Sequence, residues 1–261
     1  MVENKVKEEI LKRLKNTEEK EGVRIIMAIE SGSRAWGFAS PNSDYDVRFI
    51  YAREKDWYVA VDLEDKRDAI EYPIVDEIDL NGWDVRKALK LYWKSNPAFV
   101  EWIQSPITYI NRGEFRDQAK GLLPDIYSVE KGIYHYRSMA KTNYRGYLRE
   151  EMVPLKKYFY VLRPLLAIKW LEKYGTAAPI EFHKVLELVT DSELLETIHQ
   201  LLERKKVSEE KMVAPAIPVL NKYIESELSR LEDIRVPKTD REMETAQLNE
   251  LFHLVLSEKL G

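Results

Sequence analysis

The chain has 261 residues, 44% of them apolar and 33% charged, with a formal net charge of −4 and no cysteine. That composition belongs to an ordinary globular protein and argues against disorder; it excludes disulfides, thiolate metal sites and cysteine nucleophiles. The length suits two modest domains, and the acidic balance exerts no general pull on nucleic acid, so any anion site must be local.

In chain order, residues 4–17 place Val6, Ile10, Leu11 and Leu14 at helical spacing, which predicts an amphipathic opening helix. "VRIIMAIE" (23–30) is short and rich in β-branched residues and reads as a buried strand ending at Ser31-Gly32-Ser33. "DVRFIYA" (46–52) is a second strand, "DWYVAVDL" (56–63) a strand or the start of a helix, and "YPIVDEIDL" (72–80) a third strand. From Asp84 the period becomes 3.6, with Val85, Ala88, Leu89 and Tyr92 on one helical face and Asp84 as its cap. A helix follows Asn96-Pro97, where proline suits a first turn. The remainder reads as helices over 130–148 and 155–175, then "EFHKVLELV", "DSELLETIHQLLERKK", "IPVLNKYIESELSRLEDI" and "TAQLNELFHLVLSEKL". The expectation is therefore an α+β fold: an N-terminal mixed-sheet domain with flanking helices over 1–123, and an all-helical domain over 124–261, divided near Gly121-Leu-Leu-Pro124. The opening residues carry no signal-peptide core and no uncharged run long enough to span a bilayer, so a cytoplasmic protein with no membrane partner is expected.

The chemistry concentrates between residues 30 and 52. Asp44 and Asp46 are two apart at the start of a strand, so their carboxylates face one side. Such like charges repel unless a cation neutralises them, and Mg²⁺ is typically held by one or two carboxylates plus substrate phosphate oxygens. Gly32 lets backbone N–H groups approach a phosphate without a Cβ in the way, and the Ser33 hydroxyl adds a donor. An EF-hand fails, because its sixth and twelfth positions would be Phe49 and Lys55. The D-x-D of sugar transferases also binds a metal-nucleotide, usually without a glycine-serine turn a short loop upstream. A merely solvated turn is the bland reading, since "PNSDYD" is good turn chemistry, but the combination with the glycine-serine turn between two apolar strands favours a phosphate cradle beside a metal clamp.

Gly32-Ser33 followed by Asp44-Tyr45-Asp46 resembles the signature of the polymerase-beta-type nucleotidyltransferase superfamily. "SGSRAWGFASPNSDYDVRFIY", "DLNGWDVRKALKL", "NPAFVEWIQSPI" and "KKYFYVLRPLLAIKW" together resemble its RNA-repair-pathway subgroup. The resemblance runs from 31 to 170; beyond about 175 no motif matches. It implies transfer of a nucleoside monophosphate from a nucleoside triphosphate, ATP by first choice, to a hydroxyl, with an RNA 3′ end as the suggested acceptor and Mg²⁺ or Mn²⁺ as cofactor. It also implies a third carboxylate on a neighbouring strand. Asp79, flanked by Ile78 and Leu80, is the best fit for catalysis and metal binding beside Asp44 and Asp46; Glu77 shares its face and is the alternative, Asp76 is a further candidate, and Asp84 is more simply a cap.

A triphosphate needs cations beyond one metal. Residues 131–174 carry ten Lys or Arg against three acids, a local charge of +7. Lys156, Tyr160 and Arg163 share a helical stripe, as do Arg137 and Lys141 on the preceding helix, and Pro164 is expected to kink the later helix. Lys141, Lys156 and Arg163 are the favoured triphosphate contacts, with Lys157 replacing Lys156 if the phase differs. Each alone is more simply a surface cation; the cluster is what argues for a site. Arg34 is either a phosphate contact or the partner of an acid, and Trp36 packs the loop. The four histidines lack ligand spacing. A rival from another class is a nucleotide- or RNA-sensing module without chemistry, and a third is a helical scaffold with an incidental turn. Acceptor, base preference and oligomeric state are not legible in the residues.

Overall fold

The structure is a computed structural model that describes residues 2–207, 212–234 and 245–258. Its elements are α1 (Asn4–Glu21), β1 (Arg24–Glu30), α2 (Gly32–Trp36), β2 (Tyr45–Ala52), α3 (Lys55–Tyr58), β3 (Ala69–Glu71), β4 (Ile78–Asp84), α4 (Val85–Trp93), α5 (Pro97–Gln104), β5 (Thr108–Asn111), α6 (Phe115–Gly121) and α7 (Leu123–Ile126). They continue with α8 (Val129–Tyr147), β6 (Met152–Pro154), α9 (Lys156–Tyr174), α10 (Phe182–Leu186), α11 (Ser192–Val207), β7 (Val213–Pro215), α12 (Pro218–Arg230) and α13 (Ala246–Ser257). The fold class is α+β, with a mixed five-stranded sheet in the order β3-β4-β2-β1-β5 in which only β2 and β4 run parallel.

Alternation along β2 sorts its side chains. Tyr45, Val47, Phe49 and Tyr51 join the core under α1, where Ile10 and Leu14 are fully buried. Ile50 and Ala52 face the opposite side, against Val85, Ala88 and Leu89 of α4 and Phe99 and Trp102 of α5. Each of the larger aliphatic and phenyl side chains taken from water contributes about 1.5–3 kcal/mol, so the register of β2 is strongly specified. Asp46 and Arg48 occupy the second face's near end, where no apolar helix covers them fully.

Local chemistry sets the helix starts. Asp84 accepts from Arg86 N at 2.8 Å, and Asn96 accepts from Ala98 N and Phe99 N ahead of Pro97. α9 continues through Pro164. Residues 56–63, open between strand and helix, form only the short α3 and a turn beyond it, leaving Val59 and Val61 exposed.

The strand expected over 72–80 is not one strand. Pro73 lacks a ladder donor, and Asp76 and Glu77 both take positive φ, 51° and 62°. Val75 and Ile78 exchange backbone hydrogen bonds across them, a two-residue turn that delivers the chain into β4. The helical half likewise carries a small antiparallel ribbon, β6 with β7, so it is not purely helical.

The core of that half gathers α8, α9, α11 and α12 around Phe159, Leu162, Leu165 and Leu166. The last helix leaves it: Leu248, Leu251 and Val255 of α13 are buried with α4 and α6 in the sheet-bearing layer, and Arg24 donates to Val255 O at 2.7 Å. The division expected between residues 123 and 124 thus falls at the start of α7, while the end of the chain packs with its beginning. Among the described residues no helix is long and apolar enough to cross a membrane.

Candidate active site

The parallel register of β2 and β4 sets Asp46 directly beside Asp79, and Arg48 beside Asn81. In a strand, residues two apart share a face, so these four polar groups form one square. The Arg48 guanidinium donates to Asp46 Oδ1 at 3.0 Å and to Asp79 Oδ2 at 2.7 Å, and also to the Asp79 carbonyl at 2.9 Å. Asn81 Nδ2 donates to Asp79 Oδ1 at 2.6 Å. Two carboxylates sharing one nitrogen donor lie so close that their repulsion requires a cation; here the chain supplies its own.

Gly32 opens α2 on the other side of Asp46. Its φ is +57°, and a Cβ there would stand 1.9 Å from Asp46 Oδ2. Only glycine permits both the conformation and the approach. The turn is held in register by Ser31 N, which donates to the Asp46 carbonyl at 2.8 Å, and by Glu30, which accepts from Asp46 N at 2.9 Å. Glu30 is completely buried and accepts a second hydrogen bond from the Tyr109 hydroxyl. Burial pushes its carboxyl up to about 7, against the opposing effect of those two donors.

Asp44 immediately precedes β2 and is half-buried; Ser33 is 8% exposed. Arg34 donates from Nε to the Asp44 carbonyl at 3.3 Å and from Nη2 to the Ser43 carbonyl at 2.6 Å, and its guanidinium lies 3.8 Å from the centre of the Tyr45 ring. It therefore ties the loop's two ends together through main-chain oxygens. The Ser40 and Ser43 side chains close the intervening turn.

Trp36 ends α2 and sits among Tyr160, Phe38 and Arg163, the last at 4.6 Å from its ring. Arg163 is only 4% exposed and donates to Glu101 Oε1 at 2.8 Å; Glu101, equally buried on α5, also receives Trp36 Nε1 at 3.4 Å. This ion pair clamps the α2 turn between α5 and α9. The structure thus brings Gly32, Asp46 and Asp79 together at one end of the sheet, with Ser33 next in α2 and Asp44 just ahead of β2. It commits Arg163 to Glu101, so this cation acts on the turn through packing rather than standing open to a triphosphate. Lys141 lies on α8, 3.6 Å from Glu232, in a separate cleft, and Lys156 opens α9. Glu77, the alternative third acid, is exposed in the turn before β4 and offers its carbonyl to Tyr45 N at 2.7 Å.

Sequence reading missed Arg48, Glu30 and Glu101. Arg48 was signalled by its spacing, two residues past Asp46 on one strand face, and Glu101 by a lone acid in the apolar run "FVEWI". Among the described residues no three His, Cys, Asp or Glu side chains converge as a preformed metal cluster. The Asp46–Asp79 pair nevertheless suits a hard cation that completes its shell with phosphate oxygens and water: it offers paired carboxylates, part-exposed at 28% and 19%, with the Gly32 backbone packed close against Asp46.

A mixed sheet with a glycine turn facing paired strand carboxylates is the architecture expected of nucleotidyl transfer. The chain belongs to the RNA repair pathway DNA polymerase beta family, whose profile matches residues 6–254. The resemblance read from residues 31–170 is thereby established and extends through the helical half. The protein YcgL of Bacillus subtilis (strain 168), itself uncharacterized, is 44% identical over 249 residues, 95% of each chain. A solved nucleotidyltransferase-like protein from Exiguobacterium sibiricum 255-15 aligns over 94% of this chain and 88% of its own, at 13% identity and a TM-score of 0.30, too loose a superposition to carry a structural argument.

Proposed function

We propose that this protein transfers a nucleoside monophosphate from a nucleoside triphosphate, ATP by first choice, to an acceptor hydroxyl, with an RNA 3′ end as the proposed acceptor, in keeping with the family's RNA-repair description. The observation that carries the proposal is the placement of Asp46 beside Asp79 across β2 and β4, with Asp46 packed against the Gly32 backbone. Asp44, Asp46 and Asp79 would hold Mg²⁺ or Mn²⁺, which when bound offsets the charge of the carboxylates and the triphosphate together.

The chain's own residues do the rest. Gly32 and Ser33 lie in the first turn of α2, whose amides have no acceptor within the helix, and they donate to phosphate oxygens. Arg34 holds the loop rigid through the Ser43 and Asp44 carbonyls. Asp79, oriented by Asn81, accepts the proton of the attacking hydroxyl as the new oxygen–phosphorus bond forms and pyrophosphate leaves from the opposite side of the α-phosphorus. Arg48 balances the acid pair before substrate arrives.

That same arginine favours a second reading, a nucleotide- or RNA-sensing module without chemistry, because it already neutralises the carboxylates. Pyrophosphate release from each nucleoside triphosphate, with Mg²⁺ or Mn²⁺ and with or without RNA, separates the two. Turnover that disappears in Asp46→Ala while the fold survives supports the transferase. Absence of turnover in the wild type across a broad acceptor panel supports the sensor.

A further inference from the structure

A row of cations along α8 lies outside the acid pair and its turn. Arg137, Lys141 and Arg145 recur every four residues on that helix, and Arg149 follows just past its end. They form one wall of a cleft of about 350 Å³ whose other wall is α12. The acids in the cleft are engaged: Glu225 accepts from the buried Tyr144 hydroxyl, and Glu232 pairs with Lys141. Arg137 is anchored to the Leu231 and Glu232 carbonyls at 3.0 and 3.4 Å. Arg145 and Arg149 stand exposed at the mouth.

We propose that this cleft is a docking groove for the sugar-phosphate backbone of an RNA strand. At 1.5 Å of rise per residue the cations step by about 6 Å along the helix, a repeat comparable with that of successive phosphates. A row of this length exceeds what one compact triphosphate engages, and a strand of phosphates matches it in both sign and period. The chain as a whole is acidic, at −4, so the groove is a local attraction against a repelling background, which places the strand here rather than elsewhere on the surface. Contacts to phosphate carry no sequence information, so the groove binds strands of differing base sequence alike. The inference rests on the nucleotidyl-transfer reading only in naming RNA as the strand.

The test uses the full chain without triphosphate, so failure of nucleotidyl transfer is read separately by pyrophosphate release. Binding of a labelled single-stranded oligoribonucleotide is followed by fluorescence anisotropy over a range of salt. Arg145→Gln/Arg149→Gln is expected to weaken binding on the order of tenfold and to flatten the log–log salt slope by about 1.4, two contacts at about 0.7 each. The control, Lys5→Gln/Lys12→Gln on the exposed face of α1, removes equal charge and is expected to leave affinity near wild type. Equal binding by the groove variant, or equal weakening by the control, would each overturn the proposal.

Discussion

Replacing Gly32 by alanine tests the approach between the α2 turn and Asp46. The new methyl meets two separate obstacles. The first is the backbone: at φ +57° an L side chain costs about 1–2 kcal/mol. The second is steric, since the Cβ would lie 1.9 Å from Asp46 Oδ2 and 2.8 Å from its Cγ, well inside the roughly 3.5 Å at which carbon atoms sit comfortably. The carboxylate must swing aside, breaking its 3.0 Å contact with Arg48. Gly22, at φ +62° with nothing within 4 Å of its would-be Cβ, is the matched control, because Gly22→Ala meets only the first obstacle. Thermal unfolding is expected to fall by a few degrees in both variants, about 2–4 °C per kcal/mol at this size. Pyrophosphate release is expected to be unchanged in Gly22→Ala and reduced about 10²-fold in Gly32→Ala, the penalty of displacing a reacting group by about 1 Å. If Gly32→Ala turned over at the wild-type rate with the stability loss of its control, the placement of Asp46 would not be what the glycine serves, and the argument for the site would fail.

Other consequences follow from the same geometry. Asp79→Asn is expected to abolish turnover while Glu77→Gln, in an exposed turn, stays near wild type; equal losses would mean that the strand register does not select the third acid. Glu101→Gln strands the Arg163 charge in a site where both side chains are under 10% exposed, and should cost about 3–5 kcal/mol in urea unfolding, with Glu101→Leu/Arg163→Met recovering most of it; a loss under about 1 kcal/mol would show the pair to be solvated. For Glu30 the folded carboxyl titrates at about 7 against 4.5 unfolded, so the folded state holds the proton more tightly. Its stabilisation is complete below the unfolded value and is lost as pH rises through about 7, a swing on the order of 3 kcal/mol at 1.36 kcal/mol per unit. Glu30→Gln should flatten this part of the profile and gain on wild type as pH is raised; unfolding midpoints measured on either side of the window check it.

What was legible in the chain is what depends on neighbours in sequence. Asp44, Asp46 and the glycine turn fall within fifteen residues, whereas Asp79 as a third acid came from the family resemblance, and its place beside Asp46 is set by strand pairing. Asp84 as a cap and Pro97 in a first helical turn are equally local. The break at Asp76-Glu77 was hidden because neither residue is the glycine or asparagine that usually marks two positive φ angles, so 72–80 read as one strand and Glu77 looked like a partner of Asp79. The ribbon of β6 and β7 pairs three-residue segments some sixty residues apart, too short for any period to register. Arg163 shares a helical stripe with Lys156, yet its partner Glu101 lies in another element, and stripe spacing does not reveal which cations a distant acid has claimed.

The return of α13 to the sheet-bearing layer carries a consequence for how the molecule is made. Leu248, Leu251 and Val255 complete the packing of α4 and α6, and Arg24, at the head of β1, donates to the Val255 carbonyl. A ribosome delivers those residues after every other described element, so the half that holds the acid pair waits for them with an apolar strip uncovered while the helical half can already condense. Assembly of the layer that holds the acid pair is thus tied to delivery of α13, and a nascent chain halted before that helix would hold both acids on an unfinished foundation.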